Sequence, residues 1–182
     1  LVHRVPAEGL VETLVYDLPS AVRTVPPDHV RKWGLPEEEV FRIGLENVKA
    51  EQPPPARQLY RLDQDAALLA LVGNSFFTAS HALFLGDYLE APSTFGAVVA
   101  VPHRHAVLFH VIRDMQVVPA INSMIPMAFG MYQEGPGSIS PHIYWWRGGE
   151  WVHLPTKVTA QSTTFSPPDP FVQQVLNRVP EP

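Results

Sequence analysis

GAVVAVPHRHAVLFHVI, residues 96–112, decides the fold. Ala97 to Val101 is a continuous run of small and β-branched apolar residues, the composition of a strand buried on both faces at the centre of a sheet. Val107 to Ile112 is apolar apart from His110. Between them, Pro102 presets φ for the second position of a turn, and His103, Arg104 and His105 fill the tip. Neither His nor Arg favours positive φ, so a connection of about three to five residues is expected rather than a tight two-residue turn.

Working outward, other strands also come in hairpins. Arg57–Leu62 and Ala67–Val72 flank a polar turn, Asp63, Gln64 and Asp65. Ile139–Trp146 and Trp151–Leu154 flank Gly148-Gly149, a strong hairpin signal. Val11–Asp17 and Lys157–Phe165 read as further strands. The clearest helix opens at Pro36, carries Glu37, Glu38 and Glu39 in its first turn, and shows Val40, Phe41, Gly44, Leu45 and Val48 on one face. A short helical turn covers Pro26 to Trp33, before Gly34. A second helix spans about Phe76 to Leu89, and a third Pro119 to Gln133, with a kink or break expected at Pro126. Asp169 and Pro170 open a short last helix that buries Phe171, Val175 and Leu176.

Hairpins separated by helices specify an α+β fold. The expectation is a single domain over 1–182, with a largely antiparallel mixed sheet built from hairpins and three to four packed helices. Short flexible ends are expected near 1–9 and 178–182.

Composition limits function. The 182 residues are 46% hydrophobic and 17% charged, which describes a chain that forms a core. A net charge of −5 without a basic stripe argues against a nucleic-acid partner. With no cysteine there is no disulfide and no thiolate chemistry, which fits a reducing cytoplasm. No run of apolar residues is long enough for a membrane span, and Leu1–Leu10 lacks the apolar core of a signal peptide.

WGLPEEEVFRIGLENV, GNSFFTASHALFLGDYLE, AVVAVPHRHAVLF and SISPHIYWW occur in an order that resembles the YtpQ-like family of uncharacterised bacterial proteins. The resemblance covers roughly Leu14 to Trp146. In that family the hairpin turn reads Pro-x-Arg-Asp. Pro102 and Arg104 match it, and His105 replaces the acid. The resemblance implies a bacterial, cytoplasmic α+β protein without an assigned activity, and makes Pro102 and Arg104 candidate binding residues.

Several side chains could carry chemistry. His103 and His105 form an H-x-H pair, with His110 five residues on and His142 downstream. Alternate residues on a strand share a face, so such a pair could chelate a divalent transition metal. Against this, His105 and His110 face opposite ways unless a bulge intervenes, and the plain reading is a solvated turn with His110 packed. His81 lies on the apolar face of its helix with Phe77, Phe84, Leu85 and Tyr88, either as a satisfied core histidine or as a base with a depressed pKa. Met124, Met127 and Met131 line one helical face, as adaptable core or as soft ligands. Trp145 and Trp146 point to opposite faces. Both lie under helices, or one is exposed beside Arg147 as an interaction hot spot. Gly135–Ser140 leads into a strand and reads as a connection, not a phosphate cradle.

No nucleophile elbow, P-loop, dinucleotide fingerprint or zinc-protease helix is present. Two functions remain from sequence alone. One is a non-enzymatic binding or protein-interaction module, with a protein partner or a second copy engaged through an edge strand or the tryptophan hairpin, and with no cofactor. The other is a small metal-dependent enzyme built on the histidines of the 96–112 hairpin.

Overall fold

The computed structural model describes residues 1–62, 66–91, 93–159 and 161–182; the expected turn Asp63–Asp65 lies outside them. The residues group into two compact units, Leu1–Pro54 and Pro55–Pro182, with the boundary in the proline run.

In the first unit, β1 (His3–Ala7) pairs with β2 (Leu10–Thr13), and β3 (Val15–Leu18) pairs with β4 (Ala21–Thr24), both antiparallel. The single strand expected over Val11–Asp17 is therefore two strands of different hairpins. The break falls at Leu14, whose N–H donates to the Val2 carbonyl at 3.3 Å and whose carbonyl accepts from Val25 N–H at 3.0 Å. The expected loose end near 1–9 instead contains β1. Helices α1 (Pro27–Trp33) and α2 (Glu37–Ala50) follow. Gly34 ends α1 in the left-handed conformation at φ 67°, and Pro36 is the residue before α2. Val2, Leu14, Val25, Val30, Val40 and Phe41 form the core of this unit.

The second unit is organised by a six-stranded sheet. Its strands are β5 (Ala56–Arg61), β6 (Ala67–Val72), β7 (Ala97–His103), β8 (Ala106–Val111), β9 (Ile143–Arg147) and β10 (Glu150–Leu154), in the order β10-β9-β7-β8-β6-β5. Every pairing in it is antiparallel. The two strands of the 96–112 hairpin stand at the centre, and every residue of β7 is buried.

Helix α3 (Val117–Glu134) covers one face of this sheet. Its Ile121, Met124 and Ile125 pack with Val98, Ala100, Leu108 and Trp145, while Met127 and Met131 flank the same cluster. The methionine stripe is core, and the helix runs through Pro126. Phe171 and Val175, from α4 (Asp169–Phe171) and the π-helical turn Val172–Leu176, close that side. The opposite face carries a 3-10 helix, Thr78–Tyr88, where an α-helix was expected; Phe84 interrupts it at φ −126°, ψ 41°. Trp145 is 3% and Trp146 8% exposed, one on each face, so neither is an exposed hot spot.

Two further expectations differ from the structure. Residues 157–165 are not one strand but a small separate hairpin, β11 (Thr156–Val158) with β12 (Thr163–Phe165). The β7–β8 connection is two residues, Arg104 and His105, not three to five. A bulge makes this possible. The register shifts between the Ala100–Leu108 pair and the His103–Ala106 pair, and Pro102 sits in that bulge rather than in the turn, where its missing N–H breaks no regular ladder bond.

Gly96 shows how tightly the centre is assembled. Its φ is +79°, and a Cβ there would lie 2.1 Å from the Trp146 carbonyl oxygen. Gly130, in α3, has nothing within 4 Å of the equivalent point. Gly96→Ala is expected to cost about 2–4 kcal/mol, and Gly130→Ala to add about 0.5–1 kcal/mol. Urea denaturation of the two variants measures both, and equal effects would contradict the geometry.

Candidate functional site

Three separate segments grip the β7–β8 tip through backbone bonds. Arg104 N–H donates to the Gly137 carbonyl at 3.1 Å, Ala79 N–H donates to the Arg104 carbonyl at 3.0 Å, and Gly73 N–H donates to the His105 carbonyl at 3.2 Å. Glycines make the approach possible. Gly137 has φ +66°, and a Cβ on it would stand 2.9 Å from Arg104 Cδ; one on Gly135 would stand 2.1 Å from His103 Cδ2. Residues 135–140 are therefore a cradle for the tip as well as a connection. The glycine spacing was visible in sequence, but its partner was not.

The side chains at the tip form a chain of hydrogen bonds with defined polarity. His105 Nδ1 lies 2.8 Å from the Gly73 carbonyl, so Nδ1 carries the proton and donates. His105 Nε2 is then the acceptor for Arg104 Nε–H at 2.9 Å. His103 Nδ1 accepts from His105 N–H at 3.2 Å. Burial first, and neighbouring His105 second, hold the His103 pKa below the ordinary histidine value. The Arg104 guanidinium stands 5.2 Å from the ring centroid of Phe76, and that ring is 47% exposed. Among the described residues no carboxylate faces Arg104. The result is a cation positioned by neutral groups beside the partly exposed Phe76.

The other candidates do not join this group. His110 lies towards the far end of β8, where its Nδ1–H donates to the Ala67 carbonyl at 2.8 Å. His110 Nε2 is buried without a partner among the described residues. His142 precedes β9 and stacks edge-on with His153 at 4.6 Å. His81 is buried in the 3-10 helix, hydrogen-bonded through Nδ1 to the Tyr88 hydroxyl and 4.8 Å from the Phe84 ring. Residues three apart eclipse in a 3-10 helix, which brings His81 and Phe84 together. Pro102 is buried, and its carbonyl accepts from Ile139 N–H at 2.9 Å. The His103 and His105 rings are 6.4 Å apart. Among the described residues, no three His, Asp or Glu side chains form a group able to hold a metal ion, so His103, His105, His110 and His142 do not converge.

No family model, curated protein or solved structure matches this chain. Among the described residues no helix is long and apolar enough to cross a membrane.

His110 makes a prediction about acid stability. Burial lowers its pKa, with the Ala67 carbonyl and Asp114 pulling the other way. Below the ordinary value of ~6.5 the unfolded chain takes up a proton that the folded chain refuses, so stability falls as pH drops through that value. His103 is shifted in the same direction. Thermal unfolding should shift to lower temperature between about pH 7 and about pH 5, and His110→Gln should flatten that dependence. An unchanged slope in the variant would assign the acid loss elsewhere.

Proposed function

We propose that this chain is a non-enzymatic binding module that captures an oxyanion group of a partner at the β7–β8 tip, with Arg104 as the recognition residue. One observation carries the reading: Arg104 is ordered by His105 Nε2 and by Phe76, both neutral, and no carboxylate among the described residues takes up its charge. A guanidinium so placed keeps its terminal N–H groups for a planar carboxylate or phosphate, which it can bind with two parallel hydrogen bonds. Phe76 beside it offers apolar surface, so an oxyanion carried on an aromatic or aliphatic group fits better than a bare ion.

The runner-up, a metal-dependent enzyme, is supported less well. Both ring nitrogens of His105 are committed to protein partners, as is Nδ1 of His103. The bacterial, cytoplasmic setting implied by the YtpQ-like resemblance belongs to the same proposal, as does a protein partner rather than nucleic acid. The lack of cysteine and the net charge of −5 support it.

Benzoate and inorganic phosphate serve as probes in an NMR titration of the amide and guanidinium signals. Benzoate should perturb Arg104, Phe76 and Gly137, and Arg104→Gln should weaken it by about tenfold or more. Arg104→Lys keeps the charge without the fork and should recover only part of the loss. Phe76→Ala should weaken benzoate more than phosphate. Equal binding by wild type and Arg104→Gln would refute the assignment.

A further inference from the structure

The outer edge of the sheet carries a second surface, independent of the tip. β5 is the terminal strand, and among the described residues no strand pairs with its free edge. All six of its residues are exposed, with Leu59 at 53%. A free edge offers a row of N–H and C=O groups to any extended chain that can pair with it.

Side chains on this strand state which chain that is. Arg57, Leu59 and Arg61 alternate and so share one face. Across the ladder they stand opposite Leu71, Leu69 and Ala67 of β6, so neither arginine has an acidic cross-strand partner on its inner side. Arg57 is anchored by a hydrogen bond to the Tyr88 carbonyl and by the Tyr88 ring at 5.6 Å, while Arg61 extends into solvent. A strand added outside β5 would set its own residues opposite these three, and opposite charges directly across a ladder stabilise while like charges destabilise.

The same pattern makes a second copy a poorer partner than an acidic chain. Two β5 strands paired antiparallel about a two-fold axis keep each face on its own side. The register centred on Leu59 then places Arg57 opposite Arg61 twice. Shifting by two residues, to the register centred on Gln58, sets Arg57 opposite Leu59 and leaves both arginines without an acidic partner. Charge therefore disfavours the Leu59-centred self-pairing and favours a chain that sets acids opposite both arginines.

We propose that β5 receives an extended segment of a partner protein in which two acidic residues flank an apolar one at alternate positions. Its acids face Arg57 and Arg61, its apolar side chain covers Leu59, and its backbone completes a seventh strand.

The test uses the full chain and a short synthetic peptide with two glutamates flanking a leucine at alternate positions, beside the same peptide with glutamines. Amide exchange protection should appear across β5 with the glutamate peptide, at an affinity about tenfold above the glutamine peptide, and the difference should shrink with added salt. Arg61→Glu, an exposed change that spares the fold, should reverse the preference at that position, and a peptide with lysine there should restore binding. Leu59→Pro, which removes a ladder donor, should weaken every peptide. Equal binding of the two peptides, no protection in β5, or dimerisation of the free chain through β5 would each overturn the proposal. Benzoate binding at Arg104 is read separately and is unaffected by any of these outcomes.

Discussion

A strand buried on both faces must place its backbone N–H and C=O groups in ladders or against other protein groups, because no water reaches them. β7 is in that position along its whole length, and β8 for all but its last residue. The rest of the second unit follows. α3 must cover one face and the 3-10 helix the other, and β6 and β9 must flank the pair to complete the ladders. Such a sheet can meet another molecule only where the ladder stops. Among the described residues that happens at the two-residue tip and at the two outer strands, β5 and β10.

The tip is as constrained as the core that supports it. Three backbone bonds and the Gly73–His105–Arg104 relay leave Arg104 little freedom. An arginine held this way loses little conformational entropy when it binds, which is how pre-organisation contributes to affinity. The histidines that draw attention in the sequence serve this arrangement. His105 fixes the guanidinium, and His103 fills the space that Gly135 leaves.

What could be read from sequence divides along the range of the interactions. β6, the β7–β8 core, the Gly148-Gly149 hairpin and the helix after Pro36 were legible because their signals are local: β-branched runs, paired glycines, acidic first turns. The antiparallel α+β class followed from the succession of hairpins. The two-residue turn was missed because a bulge at Pro102 changes the count, and bulges leave no periodic trace. The 3-10 geometry of Thr78–Tyr88 was hidden because apolar spacing at three, four and seven reads as an α-helix, whereas a 3-10 helix aligns only residues three apart. Buried Trp145 and Trp146 could not be distinguished from exposed ones until the helices were in place. The cradle at Gly135–Ser140 and the role of His105 depend on contacts between residues about 30 apart in sequence, which spacing alone cannot convey. Pro102 lies in the bulge and Arg104 in the two-residue turn.

The proposed site rests most directly on the proton of one imidazole. If His105 donates from Nδ1 to the Gly73 carbonyl and accepts at Nε2 from Arg104, long-range nitrogen–proton NMR correlation at neutral pH will show the Nδ1–H tautomer. Arg104→Gln should perturb its Nε2 shift. Finding the Nε2–H tautomer, or an Nε2 signal indifferent to Arg104, would show that the guanidinium is not held by His105 and would remove the basis for the proposed site.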